Sequence, residues 1–517
     1  MKQTIIHGLI GLFVFGCVAV AAQTEQPDYD IAILGGRVID PETGLDAIRN
    51  VGIRGDKIVA VSEAPMTAAT LIDASGRVVS PGFIDMHAHG QSLPAARMQA
   101  LDGVTTALEL EAGVLPVADF YDERATQGRP INYGAAVNWA NARIAALMDK
   151  TPQADPAWFM EQFSDPGWQT RLATAAQLER IEAMVQEGLD QGALGVGFLL
   201  GYAPGTGRKE YHRISELAAR NEVPTFTHAR FLSMLEPDSS FEAMAEIVAA
   251  AAGTGVHAHI VHLNSMSLRD IEIIGPMLME AREQGVRIST EAYPYGAGST
   301  GVGAAMFRGP DWRERVGGVT AANFDVDGTR LTEQELARLQ REAPGTQIVI
   351  HFLDTEDPED QRLLNQSVLF PDGVIASDGG DWTVAGEALP EATWPLPETA
   401  WSHPRSAGTY ARFIRQYVRE QQAISLLKAI ERVSYGPAKI LQQAVPQLRS
   451  KGRIQPGADA DIVIFDLAQI TDNATYATPA RASGGIEQVL VNGVLLVADG
   501  ELNPALMPGR PVRNKPR

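Results

Sequence analysis

Five side chains with metal-binding chemistry stand at the ends of apolar runs. His87 and His89 follow Gly82-Phe83-Ile84-Asp85-Met86, His228 closes Thr225-Phe226-Thr227, His262 closes His259-Ile260-Val261, and Asp378 closes Ile375-Ala376-Ser377. Strand alternation sends His87 and His89 to one face, about 7 Å apart along the chain. One such pair is weak by itself. Two histidine pairs and an aspartate, all at strand ends, describe a divalent-metal site, and nitrogen and carboxylate ligands without thiolate suit Zn²⁺, as one ion or two. Val104 to Glu111 supplies a further carboxylate, because an acid buried at the end of an apolar run needs a cation or an arginine to offset its desolvation. Glu109 and Glu111 share a face. Glu111, nearer the strand end, is the favoured ligand.

Such ligands need a scaffold that gathers strand ends. Between about residues 81 and 448, apolar runs (104–110, 193–200, 223–227, 257–263, 286–291, 348–352, 373–377) alternate with helix-like stretches such as 173–186 and 423–433. With no dinucleotide fingerprint after the first strand, this alternation predicts an α/β fold, a TIM-like (β/α)₈ barrel with its chemistry at the C-terminal strand ends. Residues 307–347 read as a peripheral, lid-like insertion. At both ends of the chain, short period-two segments separated by Gly-Gly, Gly-Asp and Asn-Gly turns predict a small β-sandwich built jointly from residues 23–80 and 449–517.

The composition excludes other classes. The 517 residues carry 43 Lys+Arg against 63 Asp+Glu, a net charge of −20, which is the wrong sign for coating nucleic acid or an anionic membrane. The apolar run from Gly8 to Ala22 behind Lys2 has the shape of a signal peptide cleaved after Ala21 or Ala22, so residues 1–22 are expected to be removed and the mature protein to be periplasmic or secreted, with no stable membrane span. Lipid anchoring at Cys17, the single cysteine, is the alternative. Cleavage leaves no cysteine and therefore no disulfide. Self-association into a homo-oligomer is left open.

Val79-Ser80-Pro81-Gly82-Phe83-Ile84-Asp85-Met86-His87-Ala88-His89 resembles the signature of the metal-dependent amidohydrolase superfamily. Gly192 to Val196, Tyr202 to Gly205, Thr227-His228-Ala229-Arg230, Tyr293 to Thr300, Ser377-Asp378-Gly379 and His403 to Thr409 narrow the resemblance to the D-aminoacylase (N-acyl-D-amino-acid deacylase) family, over about residues 29–513. That resemblance implies a small-molecule amide substrate. It implies ligand positions at His87, His89, His228 and His262, and at Asp378 a general base that also serves as a ligand. It puts Tyr202, Arg230, Asn264, Tyr293 and Ser299 among the substrate-binding candidates.

Three departures qualify it. Ala112 stands where family members usually carry a cysteine, so a bridge between two ions falls to Glu111 or Glu109. Asn264 replaces a lysine after His262, and Phe231-Leu232 follow Arg230 where an acidic residue is common. Without that lysine, hydrolysis of a cyclic imide, a lactam or a dipeptide-like amide is the alternative activity, and a noncatalytic binding protein is the alternative class.

Overall fold

The computed structural model describes residues 28–516 together with Met1. The leader reading of residues 1–22, with Cys17, therefore lies outside the described residues apart from Met1. No helix among those described is long and apolar enough to cross a membrane.

The chain opens with β1 (Tyr29–Asp40), β2 (Leu45–Arg54), β3 (Lys57–Ser62), β4 (Ala68–Asp73) and β5 (Val78–Pro81). A bulge between Ile33 and Gly36 divides β1, so its first part pairs with β4 and its last part with β5, while β2 follows its other edge. The barrel strands come next: β6 (Phe83–Asp85), β7 (Val104–Val114), β8 (Asn132–Asn138), β9 (Val196–Leu199), β10 (Thr225–His228), β11 (Ala258–Ile260) and β12 (Ile288–Ala292). After β13 (Ala297–Gly301), β14 (Phe324–Val326), β15 (Thr329–Arg330) and β16 (Gln347–His351), the eighth barrel strand is β17 (Val374–Ile375). The short hairpin β18 (Thr383–Val384) and β19 (Glu387–Ala388) precedes β20 (Ile462–Phe465), β21 (Ile486–Val491), β22 (Val494–Ala498) and β23 (Glu501–Leu502).

Eight parallel strands in the order β17-β12-β11-β10-β9-β8-β7-β6 make a nearly closed TIM-type barrel. Loop residues close its seam. Asp378 N donates to His87 O (2.8 Å), Gly90 N to Gly379 O (2.9 Å), and the buried Asp85 accepts from the Ser377 amide (3.0 Å) and the His87 amide (3.1 Å). Two site residues thus sit on the line where the barrel is stitched shut. Residues 175–190 form the helix expected over 173–186, capped by Thr174 and burying Leu178, Ile181 and Val185. The stretch 423–433 is helical only from Leu426, and it turns into a π-helix over Glu431–Tyr435.

Both termini enter one hydrogen-bonded sheet of nine strands, joined where β20 runs antiparallel to β5, and Ile33, Val51, Val79, Ile462 and Leu490 form its core. The terminal unit is thus a continuous sheet. The last residues leave it: Val512 N donates to Tyr133 O (2.7 Å) and Asn514 N to Gly192 O (3.0 Å), both on the barrel. The run 348–352, expected in the barrel, belongs elsewhere. β16 pairs antiparallel with β13 and β14, so the insertion is framed by strands at 297–301 and 347–351 rather than confined to 307–347. An apolar run as buried as a barrel strand carries no mark of its partner.

Candidate metal centre

β7 is bulged where it matters. Glu109 pairs with Ala135, but the next paired residue is Val114, opposite Val137. The slack between them includes Gly113, at φ 68°, whose added Cβ would lie 2.7 Å from Ala136 O, and it lets Glu111 reach into the barrel mouth. Gly197 on β9 allows the close approach, because a Cβ there would strike Glu111 O at 2.2 Å.

Glu111 lies between two histidine pairs. Its Oε1 is 2.8 Å from His228 Nδ1 and 2.9 Å from His262 Nε2. Its Oε2 is 3.2 Å from His89 Nε2 and 3.3 Å from His87 Nε2. Asp378 Oδ1 is 3.4 Å from both of the latter nitrogens, and the two nitrogens are 3.0 Å apart. His262 (φ 30°) and Asp378 (φ 53°) both occupy the left-handed backbone region, a strain of about 1–3 kcal/mol each that clusters where a side chain must be aimed.

Carboxylates fix the rings from behind. His87 Nδ1 donates to Glu291 Oε1 (2.5 Å) and His89 Nδ1 to Glu109 Oε2 (2.8 Å), which leaves both Nε2 lone pairs converging with two carboxylate oxygens on one point. Four converging acceptors repel one another unless a cation lies among them, so the donor set fits a metal. The electrostatics agree. Burial pushes Glu111 up, but His87 and the bonds from His228 and His262 hold it well below the usual carboxylate range. Burial opposes protonation of His87 and His89, yet their surrounding carboxylates raise both well above ordinary histidine. A cluster that binds protons this strongly binds a divalent cation by the same field.

A cavity of about 320 Å³ opens on the cluster, walled by Phe159, Met160, Phe163, Leu232, Met306 and Phe352 among others. Three expected substrate contacts line it: Tyr202, whose hydroxyl shares a hydrogen bond with Thr300 Oγ1 (2.8 Å), Tyr293, and Ser299, which donates to Ile348 O (2.9 Å). Two do not. Arg230 is buried with a bidentate pair to Glu246 (both 2.7 Å) and bonds to Pro204 O and Thr206 O, so its donors are spent on holding the chain behind the pocket. Asn264 accepts from Tyr293 N (3.2 Å) and donates to Tyr295 O (3.3 Å), bracing the strand end rather than facing the cavity.

Arg405 lines the pocket and was not among the sequence candidates. Its Nη2 is 3.0 Å from Asp378 Oδ2, its guanidinium lies over the Tyr293 ring at 4.6 Å, and its buried Nε and Nη1 have no protein partner. Its signal lay in the His403 to Thr409 segment, which was read without singling out the arginine. Glu291 was also missed, although it closes an apolar run just as Glu111 does.

The amidohydrolase family profile matches residues 70–497. The chain is 27% identical to N-acyl-D-glutamate deacylase of Alcaligenes xylosoxydans xylosoxydans, over 94% of this chain and 97% of that one. Identity to the D-aminoacylase of the same organism is also 27%, over 91% and 95%. The solved N-acyl-D-glutamate deacylase from Bordetella bronchiseptica, complexed with zinc and a phosphonate inhibitor, matches with a TM-score of 0.72 at 26% identity, covering 95% of this chain and all of that one. A D-aminoacylase crystal structure matches with a TM-score of 0.74 at 23% identity, over 94% of this chain and 100% of that one.

Proposed function

Because the chain belongs to the amidohydrolase family, we propose that it is a zinc-dependent hydrolase of the amide bond in N-acyl amino acids, those of the D series in particular. The observation that carries this reading is Glu111 lying within 3.3 Å of four imidazole nitrogens. His87, His89, Glu111, His228, His262 and Asp378 are the residues that would hold one or two Zn²⁺. Bound there, the ion supplies Lewis-acid polarisation of the scissile carbonyl and a water acidic enough to ionise near neutral pH.

The chain's own residues do the rest. Burial pushes Asp378 up, but Arg405 and His87 hold it well below the usual carboxylate range, so it stands ionised with Oδ1 turned to the cluster. It takes a proton from the attacking water and delivers it to the departing amine nitrogen. Arg405, with two free donors beside Asp378, receives the substrate carboxylate. It restores the anchor that Asn264 cannot provide, which favours the N-acyl amino acid over a cyclic imide. The apolar wall around Met160 and Phe163 suits an uncharged side chain or acyl group. Export through the leader at residues 1–22 belongs to the same proposal, and N-terminal sequencing of the mature protein tests it.

The direct test strips the purified enzyme with a chelator, returns Zn²⁺, and follows hydrolysis of N-acetyl-D- and N-acetyl-L-amino acids beside cyclic imides. Activity should vanish and return, with the D series ahead. Turnover unaffected by chelation, or a cyclic substrate winning by more than about tenfold, contradicts the reading.

A further inference from the structure

Beneath the metal centre a polar column runs along β11 and β12, with the apolar Phe226 ring 5.8 Å from that of His259, whereas small barrels of this type are ordinarily filled by layers of branched apolar side chains alone. His257 precedes β11 and His259 is its middle residue, Ser289 and Glu291 lie on the neighbouring β12, and alternation turns each pair to one side. The register sets His259 opposite Ser289. His259 Nε2 is 3.0 Å from Glu291 Oε2, its Nδ1 is 2.8 Å from Ser289 Oγ, and the same hydroxyl is 2.9 Å from His257 Nε2. Glu291 Oε1 meets His87 Nδ1 at 2.5 Å. The links form one chain, from a half-buried histidine below to a metal-facing histidine above.

With Glu291 ionised and the rings neutral, the donors order themselves in a single way. Glu291 can only accept, so His87 donates from Nδ1 and His259 from Nε2. His259 Nδ1 is then a lone pair, Ser289 must donate to it, and Ser289 accepts in turn from His257 Nε2. Every link forces the next. His87 is thereby held in the tautomer that leaves Nε2 bare, and both Glu291 oxygens are occupied, so the carboxylate cannot swing away from the ring.

We propose that His259 is a positioning residue for the metal centre, acting through Glu291 to fix the tautomer and orientation of His87, with Ser289 and His257 setting the polarity of His259 itself. The inference rests on the metal reading above and adds a residue that touches neither ion nor substrate. His259 is fully buried, and an apolar ring of similar size there would spare the desolvation of a polar column. The column is explained by what it does to His87.

The test measures Zn²⁺ affinity by competition with a chromophoric chelator, and the visible spectrum of the Co²⁺-loaded protein, for the parent, His259→Phe, His259→Gln and Ser289→Ala. His259→Phe fills the space and removes the donor to Glu291. It should bind Zn²⁺ about tenfold more weakly, the low end of the loss seen when a ligand's own outer partner is removed, because Glu291 stays in place, with an altered Co²⁺ spectrum. His259→Gln, which can still donate to Glu291, should recover to within about threefold of the parent, and Ser289→Ala should lose a few-fold. Folded His259→Phe with parental affinity and spectrum overturns the proposal alone. If that variant does not fold, Ser289→Ala with unchanged affinity does so. A parent that binds no Zn²⁺ overturns the functional reading and this inference together.

Discussion

Replacing Glu111 by alanine removes the side chain that touches both histidine pairs, with Oε1 2.8 and 2.9 Å from one pair and Oε2 3.2 and 3.3 Å from the other. A four-ligand zinc site is worth about 10–16 kcal/mol, so one ligand in four carries about 2.5–4 kcal/mol. At 1.4 kcal/mol per tenfold, affinity should fall by about 10²–10³ for each ion that Glu111 holds. Glu109 stands one step back. Its carboxylate accepts from His89 Nδ1 (2.8 Å) and from Gly113 N (3.3 Å), so Glu109→Ala frees a ring without deleting a ligand and should cost about 10–100-fold at one position. Both variants, purified with Zn²⁺ and dialysed against metal-free buffer, are compared by metal analysis, with folding checked by circular dichroism. Glu111→Ala should lose most of its zinc and nearly all turnover, while Glu109→Ala refills when zinc is in excess and keeps reduced activity. Full zinc in Glu111→Ala with loss from Glu109→Ala would reverse the assignment and refute the geometry behind it.

Asp378→Asn keeps the size of the side chain and removes its proton-accepting charge; kcat should fall at least about 10²-fold while zinc stays near the parental content, and a rate within threefold of the parent removes Asp378 from proton transfer. Arg405→Met should raise KM for N-acyl amino acids at least about tenfold and leave KM for the corresponding N-acyl amides, which lack the carboxylate, little changed; equal effects on both would deny Arg405 the anchor. Burial lifts Asp102 to about 7 despite bonds from Ser483 and the Tyr410 and Ala411 amides, so between about pH 4 and 7 the folded protein holds a proton that the unfolded chain has released. Asp102 therefore contributes a fall in stability as pH rises through that window, on the order of 4 kcal/mol, and urea unfolding of metal-stripped protein should show a shallower fall with pH in Asp102→Asn than in the parent.

The convergence of His87, His89, Glu111, His228, His262 and Asp378 at the barrel mouth was legible because its signals are local. A histidine or acid that closes a short apolar run must lie at the rim of whatever the strands build, and alternation states which neighbours share its face. The barrel was legible for the same reason, through repeated short apolar runs alternating with helix-like stretches. Strand β8 escaped notice because its Gly134-Ala135-Ala136 centre lacks large apolar side chains, although all seven of its residues are buried. The run at 348–352 pairs in a different sheet from the one its pattern suggests, because burial and apolarity are common to both. Partner choice is a tertiary fact, here the antiparallel register of Ser299 with Val349 and Thr300 with Ile348.

Arginines were the least legible residues, for a reason that is physical rather than statistical. A guanidinium on a long stem reaches in several directions, so its role is set by which acceptors are near enough to saturate it. Arg230, two residues after a site histidine, has its donors taken by Glu246 and two carbonyls and ends as a brace. Arg405, far from that histidine in sequence, meets one carboxylate and an aromatic face and keeps two donors free beside Asp378. Exchanging these two roles would need no change at either arginine. It would need only a different placing of the acids around them, and Glu246 lies sixteen residues from the arginine it neutralises.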